Sequence, residues 1–417
     1  MRPSSLISLI AAAFVLAAAV AGCAVRERIA PAESAKTFPR ELVAKGAELA
    51  HLGNCMGCHT AKDGRPYAGG APLKTPFGTV YGTNITPDAE TGIGRWPLQA
   101  FARALREGLD IEGRHLFPAF PYDHFTHLTD ADIEALYAFV MTREPVSQEN
   151  RRNTVPIPRA FIGLWKARYF KRIDLQADPS KGPEWNRGAY LVEGLGHCGA
   201  CHTPRNALGA EKKDEAYSGA EIEGWHAPAL NARSPAPIPW TVDTLRAYLR
   251  NGIADQHALT AGPMAEVVDD LSQVSEEAVH AIATYIASLD TRSTDERGRL
   301  TQAAMERARA SVAMTGNAIY DGACADCHNR GRGQLGGALE LPLATALAIP
   351  TPRNLAYIIR DGIVPAGGAR GAWMPSFAGA LTDEQLANLL DYLRSLAGQS
   401  AWPDTAAQVR KLSKEGQ

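Results

Sequence analysis

Three copies of one five-residue pattern constrain this chain more than any other feature. Cys55-Met56-Gly57-Cys58-His59 recurs as Cys198-Gly199-Ala200-Cys201-His202 and as Cys324-Ala325-Asp326-Cys327-His328. Two cysteines separated by two residues and followed at once by histidine form the covalent c-type haem attachment signal. The spacing has a mechanical reason. Each thiol adds to one vinyl group of the porphyrin, and the adjacent histidine is then placed under the iron as its proximal ligand. A zinc site and a redox dithiol are the competing uses of paired cysteines. One copy would leave them standing; three copies, each opening a similar unit, argue for three covalently bound haem c groups.

The chain has 417 residues and seven cysteines, of which six lie in the motifs. Any disulfide framework would therefore remove a haem. The length allows two to four domains. Lys and Arg total 43 against 45 Asp and Glu, a net charge of −2, which argues against nucleic acid as a partner. The remaining cysteine is Cys23. Arg2, the apolar run Leu6 to Val20 and then Ala21-Gly22-Cys23 read as a signal peptide over residues 1–22. Val20-Ala21-Gly22-Cys23 resembles a bacterial lipoprotein cleavage box, which makes Cys23 the expected lipidation site and new N-terminus. An ordinary signal peptide cleaved nearby, or a short membrane helix, is the alternative. The export signal and the haem signal agree: bacterial haem attachment takes place outside the cytoplasm. The expected location is the periplasm, attached to the cell membrane.

Each motif opens a longer repeat. A glycine precedes it in a helical stretch, at Gly46, Gly188 and Gly316, where a missing Cβ lets a second helix cross closely. Each repeat ends in a capped amphipathic helix. Thr129 precedes Ile133, Leu136, Tyr137 and Val140; Ser275 precedes Val279, Ile282 and Ile286; Thr382 with Gln385 makes a capping box before Leu386, Leu389, Leu390 and Leu393. Phe139, Tyr285 and Tyr392 occupy the same place in these helices, opposite the glycine. The order helix, haem motif, irregular loop, ligand loop, helix is the small all-α arrangement of a class I cytochrome c domain, used three times in tandem. The expected layout is a tether over residues 23–37 and domains over 38–145, 183–290 and 311–398. A linker over 146–182, a helical connector over 291–310 and a tail over 399–417 complete it.

An iron that only carries electrons usually has a sixth ligand, and methionine opposite histidine raises its potential. Gly262-Pro263-Met264 and Trp373-Met374-Pro375 lie in Gly/Pro-rich loops ahead of the last helices of the second and third repeats. Met264 and Met374 are the expected axial ligands. The first repeat departs from this pattern. Phe120 stands within one residue of the distance from His59 at which Met264 stands from His202, and phenylalanine cannot bind iron. His115, His124 and His127 are nearby. One reading is three surface histidines and an open iron. The other is histidine ligation, with His124 first, then His127 and His115. Met141 falls inside the last helix and is expected in the core.

Further stretches carry a family resemblance. They are Thr75-Pro76-Phe77-Gly78-Thr79, Thr83-Asn84-Ile85-Thr86-Pro87-Asp88, Gly92-Ile93-Gly94 and Trp96, then Thr203-Pro204-Arg205-Asn206, Gly224-Trp225 and Ala227-Pro228. With three haem motifs in this order, the chain resembles the tri-haem cytochrome c subunits of bacterial periplasmic dehydrogenases. These accompany quinoprotein alcohol dehydrogenases, flavin gluconate or sorbitol dehydrogenases, and molybdenum hydroxylases. The alcohol dehydrogenase type has Pro-Ala-Met-Pro-Tyr in its first ligand loop. Pro118-Ala119-Phe120-Pro121-Tyr122, followed by Asp123-His124-Phe125-Thr126, looks like the cytochromes that partner molybdenum hydroxylases of aldehydes or N-heterocycles. The resemblance implies no catalytic residues. It implies an electron-transfer subunit that accepts electrons from a dehydrogenase catalytic subunit and passes them to membrane quinone or a terminal oxidase. The rival expectation is a haem enzyme, a peroxidase or reductase, using an open iron in the first repeat.

Overall fold

The computed structural model describes residues 27–32, 37–311, 314, 316–328, 338–364 and 373–415, so Cys23 and the leader before it lie outside the described residues. The chain is mostly helical. Among the described residues it also has three two-stranded antiparallel hairpins: Pro72–Thr75 with Gly78–Tyr81, Ala220–Ile222 with Trp225–Ala227, and Ile253–Ala254 with Ala258–Leu259. It divides into two compact units, Met1–Ser180 with Tyr190–His197, and Lys181–Ala189 with Cys198–Gln417. No helix among the described residues is long and apolar enough to cross a membrane.

In the first unit a leading helix, Arg40–Leu52, lies against a closing helix, Asp130–Met141. Gly46 is the contact point. A Cβ there would stand 2.0 Å from the Ala135 carbonyl oxygen and 2.7 Å from Phe139 Cβ. The two backbones touch, and only hydrogen fits between them. The Thr129 hydroxyl caps the closing helix by accepting from the Asp132 N–H. Ile133, Leu136, Val140 and Met141 are buried along it. Residues 146–182, expected as a linker, carry a further helix, Arg159–Tyr169, and a strap that holds the first hairpin. The Asn153 side chain accepts from the Tyr81 N–H at 2.9 Å, and the Thr154 N–H donates to the Thr79 carbonyl at 2.9 Å.

The second unit uses the same crossing once more. Its leading helix, Pro183–Tyr190, meets the closing helix Glu276–Ser288 at Gly188, where a Cβ would stand 2.0 Å from the Ala281 carbonyl oxygen and 2.8 Å from Tyr285 Cβ. Ser275 precedes this closing helix, but its side chain makes no capping bond. The expected connector is a helix, Thr294–Ser311, whose Ala304 and Ala308 pack with Ile238 and Leu343. Beyond it the pattern changes. Gly316 has φ +125, and a Cβ there would meet none of the described residues within 4 Å; it lies ahead of the helix Ala318–Ala323 instead of within it. The long helix Asp383–Leu396 carries the expected Thr382–Gln385 capping box. It is covered by a helix in the C-terminal stretch expected to be a tail, Thr405–Glu415. Val409 and Leu412 join Leu386, Leu389 and Leu390 in one buried cluster, and Trp402 donates from Nε1 to the Ile349 carbonyl at 2.9 Å.

Candidate functional site

All three attachment motifs end short helices, and all three present histidine in the same way. His59 Nδ1 lies 2.6 Å from the Thr83 carbonyl oxygen, His202 Nδ1 2.7 Å from that of Pro228, and His328 Nδ1 3.3 Å from that of Leu339. A carbonyl can only accept, so Nδ1 carries the proton and Nε2 keeps its lone pair for a metal. Burial pushes each imidazole pKa below its usual value, with the carbonyl bond acting the other way. The rings are therefore neutral at pH 7, the form that binds iron.

The competing cysteine chemistries fit poorly. None of the six motif cysteines is in a disulfide. Burial raises the thiol pKa of Cys201 and of Cys324 to about 11, whereas a redox dithiol works through a lowered one. Among the described residues no motif cysteine belongs to a cluster of three metal-donor side chains, as a structural zinc site would require.

A second repeated device lies behind the first two motifs. Tyr67 and Tyr217 both take the left-handed conformation, φ +61 and +59. The Tyr67 N–H donates to the Thr60 hydroxyl and the Tyr217 N–H to the Thr203 hydroxyl, each at 3.1 Å. Two residues on, the Gly69 and Gly219 N–H groups donate to the carbonyls of His59 and His202. The loop is thereby folded back over its own motif. Sequence reasoning missed this circuit, although His-Thr followed by Tyr-x-Gly is present in both copies as a signal.

The third motif opens onto an apolar cavity. Cys324, His328 and Met374 line it, with leucine and isoleucine making up most of the remaining described wall. An apolar disc attached at the cysteine, with histidine and methionine inside the same cavity, fits this donor set. Met374 is in extended backbone, paired with Ile363. Met264 differs from its expected loop position: it sits in the first turn of a separate helix, Pro263–Leu271, behind Gly262, where a Cβ would enter the Trp225 ring.

The first repeat's ligand loop follows the second's register. The Gly108 carbonyl accepts from the Leu116 N–H and the Gly252 carbonyl from the Thr260 N–H, which places Phe120 and Met264 at equivalent positions four residues on. His115 and His124 are buried, so the surface reading of these two fails. His124 Nδ1 lies 2.8 Å from the Glu193 carbonyl, the same backbone lock that holds the three motif histidines, and its ring lies 6.5 Å from that of His197. His115 pairs with Leu109 in the bridge that corresponds to Met374 with Ile363.

The family model for cytochrome c matches residues 43–144, and that for cytochrome C oxidase, cbb3-type, subunit III, matches residues 311–393. A subunit of the nicotinate dehydrogenase of Pseudomonas putida is 42% identical over 381 residues, 88% of this chain; the chain spans only 32% of that relative's length. The gluconate 2-dehydrogenase cytochrome c subunit of Pantoea cypripedii is 36% identical over 90% of both chains. The cytochrome c subunit of the quinone alcohol dehydrogenase of Gluconobacter oxydans is 36% identical over 96% of this chain and 87% of its own. With its neutral, backbone-locked motif histidines and full-length likeness to these last two subunits, the chain belongs to the cytochrome c subunits of dehydrogenases, electron-transfer proteins with covalently bound haem c and not catalytic subunits themselves.

Proposed function

We propose that this chain carries three haem c groups in three tandem class I cytochrome c domains, residues 38–145, 183–290 and 311–398. The observation that carries this is the threefold Nδ1-to-carbonyl lock on His59, His202 and His328. Each locked histidine is the proximal ligand beside its cysteine pair: Cys55 and Cys58, Cys198 and Cys201, Cys324 and Cys327. Met264 and Met374 are the sixth ligands of the second and third haems, and His124 that of the first. Bound haem supplies a one-electron iron couple; the chain sets each potential through axial ligand and burial. A second imidazole holds the first haem at a lower potential than the two methionine-ligated ones, which suits an entry point for electrons.

The electrons come from a dehydrogenase catalytic subunit and leave to membrane quinone or a terminal oxidase. The Phe120 ligand loop and the nicotinate dehydrogenase relative support a molybdenum hydroxylase as donor, with a quinoprotein or a flavoprotein as the other candidates. The protein works in the periplasm, held to the membrane by lipid on Cys23. Mass spectrometry of the mature protein is expected to find three haem additions; fewer on fully matured protein would overturn the count. His124→Ala should convert one haem of three to high spin, read by electron paramagnetic resonance. The His115 register with Met374 supports a second reading, in which His115→Ala has that effect and His124→Ala leaves all three signals unchanged.

A further inference from the structure

The helix Arg353–Asp361 packs against two repeats at once. One face belongs to its own repeat: Leu355, Ile358 and Ile359 line the cavity of Cys324, His328 and Met374. Arg353, Asn354 and Tyr357 share another face, because residues three and four apart are neighbours on a helix. That face grips the hairpin Ala220–Ile222 with Trp225–Ala227, which belongs to the second repeat. Asn354 holds the outer strand as a neighbouring strand would. Its side-chain oxygen accepts from the His226 N–H and its amide nitrogen donates to the His226 carbonyl, each at 2.9 Å. Arg353 donates to the Gly224 carbonyl at 3.1 Å, and the Tyr357 ring packs on Trp225 with centroids 5.1 Å apart.

The gripped strand supports the second site from two sides. Just past its end, the Pro228 carbonyl is the group that locks His202 Nδ1, at 2.7 Å. At its start, the Trp225 ring lies against Gly262, where a Cβ would stand 2.4 Å from Trp225 Cε2. Gly262 has φ +58, is the N-cap of the helix Pro263–Leu271 and accepts from the Ala265 N–H at 3.0 Å. Its seat on the indole therefore sets where that helix begins, and with it the place of Met264 in the first turn. The stretch Trp225 to Pro228 thus touches the supports of both expected ligands of one iron. A two-stranded hairpin is marginal by itself. How firmly this one holds the two ligands depends on what it is docked against, and that is the helix of the third repeat.

We propose that Asn354 and Tyr357, two residues of the third repeat, are positioning residues for the second haem: they fix the strand that holds His202 from one side and the Met264 turn from the other. The inference rests on the reading of Met264 as the sixth ligand of that haem. Loss of the grip frees Met264 before His202, which stays tied to Cys201 by the chain itself. Methionine is the ligand that raises the potential, so a loosened Met264 moves the second couple toward the ferric state. The test is a potentiometric titration of fully matured protein carrying Asn354→Ala together with Tyr357→Leu. Two further variants accompany it: Met264→Ala, which marks the couple of the second haem, and Tyr357→Phe, which keeps the ring. In the double variant the marked couple is expected to move by at least about tenfold, or about 59 mV for one electron, with loss of that haem's methionine-to-iron charge-transfer absorption. The other two couples should stay in place, and Tyr357→Phe should match the unmutated protein. An unmoved marked couple would overturn the proposal. So would a shift confined to another couple, because the helix would then serve its own cavity alone. If the double variant does not fold, Trp225→Leu decides: it leaves the helix intact and should lose the same absorption, and retention of that absorption overturns the proposal. A Met264→Ala protein whose spectra and couples all match the unmutated protein would instead sink the ligand assignment itself.

Discussion

The helix pairs at Gly46 and at Gly188 bury their contact by bringing backbone to backbone, while the region around Gly316 does so by adding a helix. In the first two, a Cβ would collide with the carbonyl of Ala135 or Ala281 at 2.0 Å. In the third, a Cβ on the glycine would meet none of the described residues within 4 Å, and Tyr392 turns its ring toward Tyr320, 5.3 Å between centroids. The apolar face left over is covered by Thr405–Glu415. A repeat can keep its attachment motif and its closing helix while changing how the two are pressed together. A close crossing depends on one missing atom. An added helix depends on several side chains, and tolerates change at the glycine.

A buried charge would test the added helix most severely. Val409 is fully buried. Val409→Asp would strand a charge in that cluster, at a cost of about 3–5 kcal/mol, and should lower the melting transition of the second unit by about 10 °C while leaving the first unit's transition in place. An unmoved second transition in calorimetry would mean that the helix is an ornament. Smaller effects separate the crossings. Gly46→Ala and Gly188→Ala should each cost about 1–3 kcal/mol by overpacking. Gly316→Ala carries only its positive-φ strain, about 1 kcal/mol; equal losses at all three positions, measured by denaturant titration, would erase the distinction. The smallest effect concerns the caps. Thr382→Ala removes the hydroxyl that accepts from the Gln385 N–H, leaves the backbone N–H of residue 382 donating to the Gln385 side chain, and should cost about 1 kcal/mol. Ser275→Ala should cost less, since the Ser275 side chain makes no capping bond to its helix.

The closing helices, their Thr129 and Thr382 caps and the two tight crossings were legible in the sequence because each follows from local spacing and residue type. The third crossing was misread for a related reason: a glycine ahead of a cysteine pair looks the same whether it lies inside a helix or before one. The C-terminal helix was hidden because Val409 and Leu412 are sparse among polar residues, so no local signal marked them as core. Of the candidate sites, the motif residues announced themselves, but Thr83, Pro228 and Leu339 did not, because a backbone carbonyl acts regardless of the side chain it belongs to.

The strap over residues 146–154 also sets an order of events in time. Asn84 is buried at 1% exposure, and its side chain donates to the Val146 carbonyl at 2.7 Å while its own N–H donates to Asn150 Oδ1 at 2.6 Å. The carbonyl that locks His59 belongs to the preceding residue, Thr83. Until the chain has been made through Asn150, that carbonyl lacks its support. The lock on His59 is therefore completed only by residues that lie far beyond the first motif in the chain.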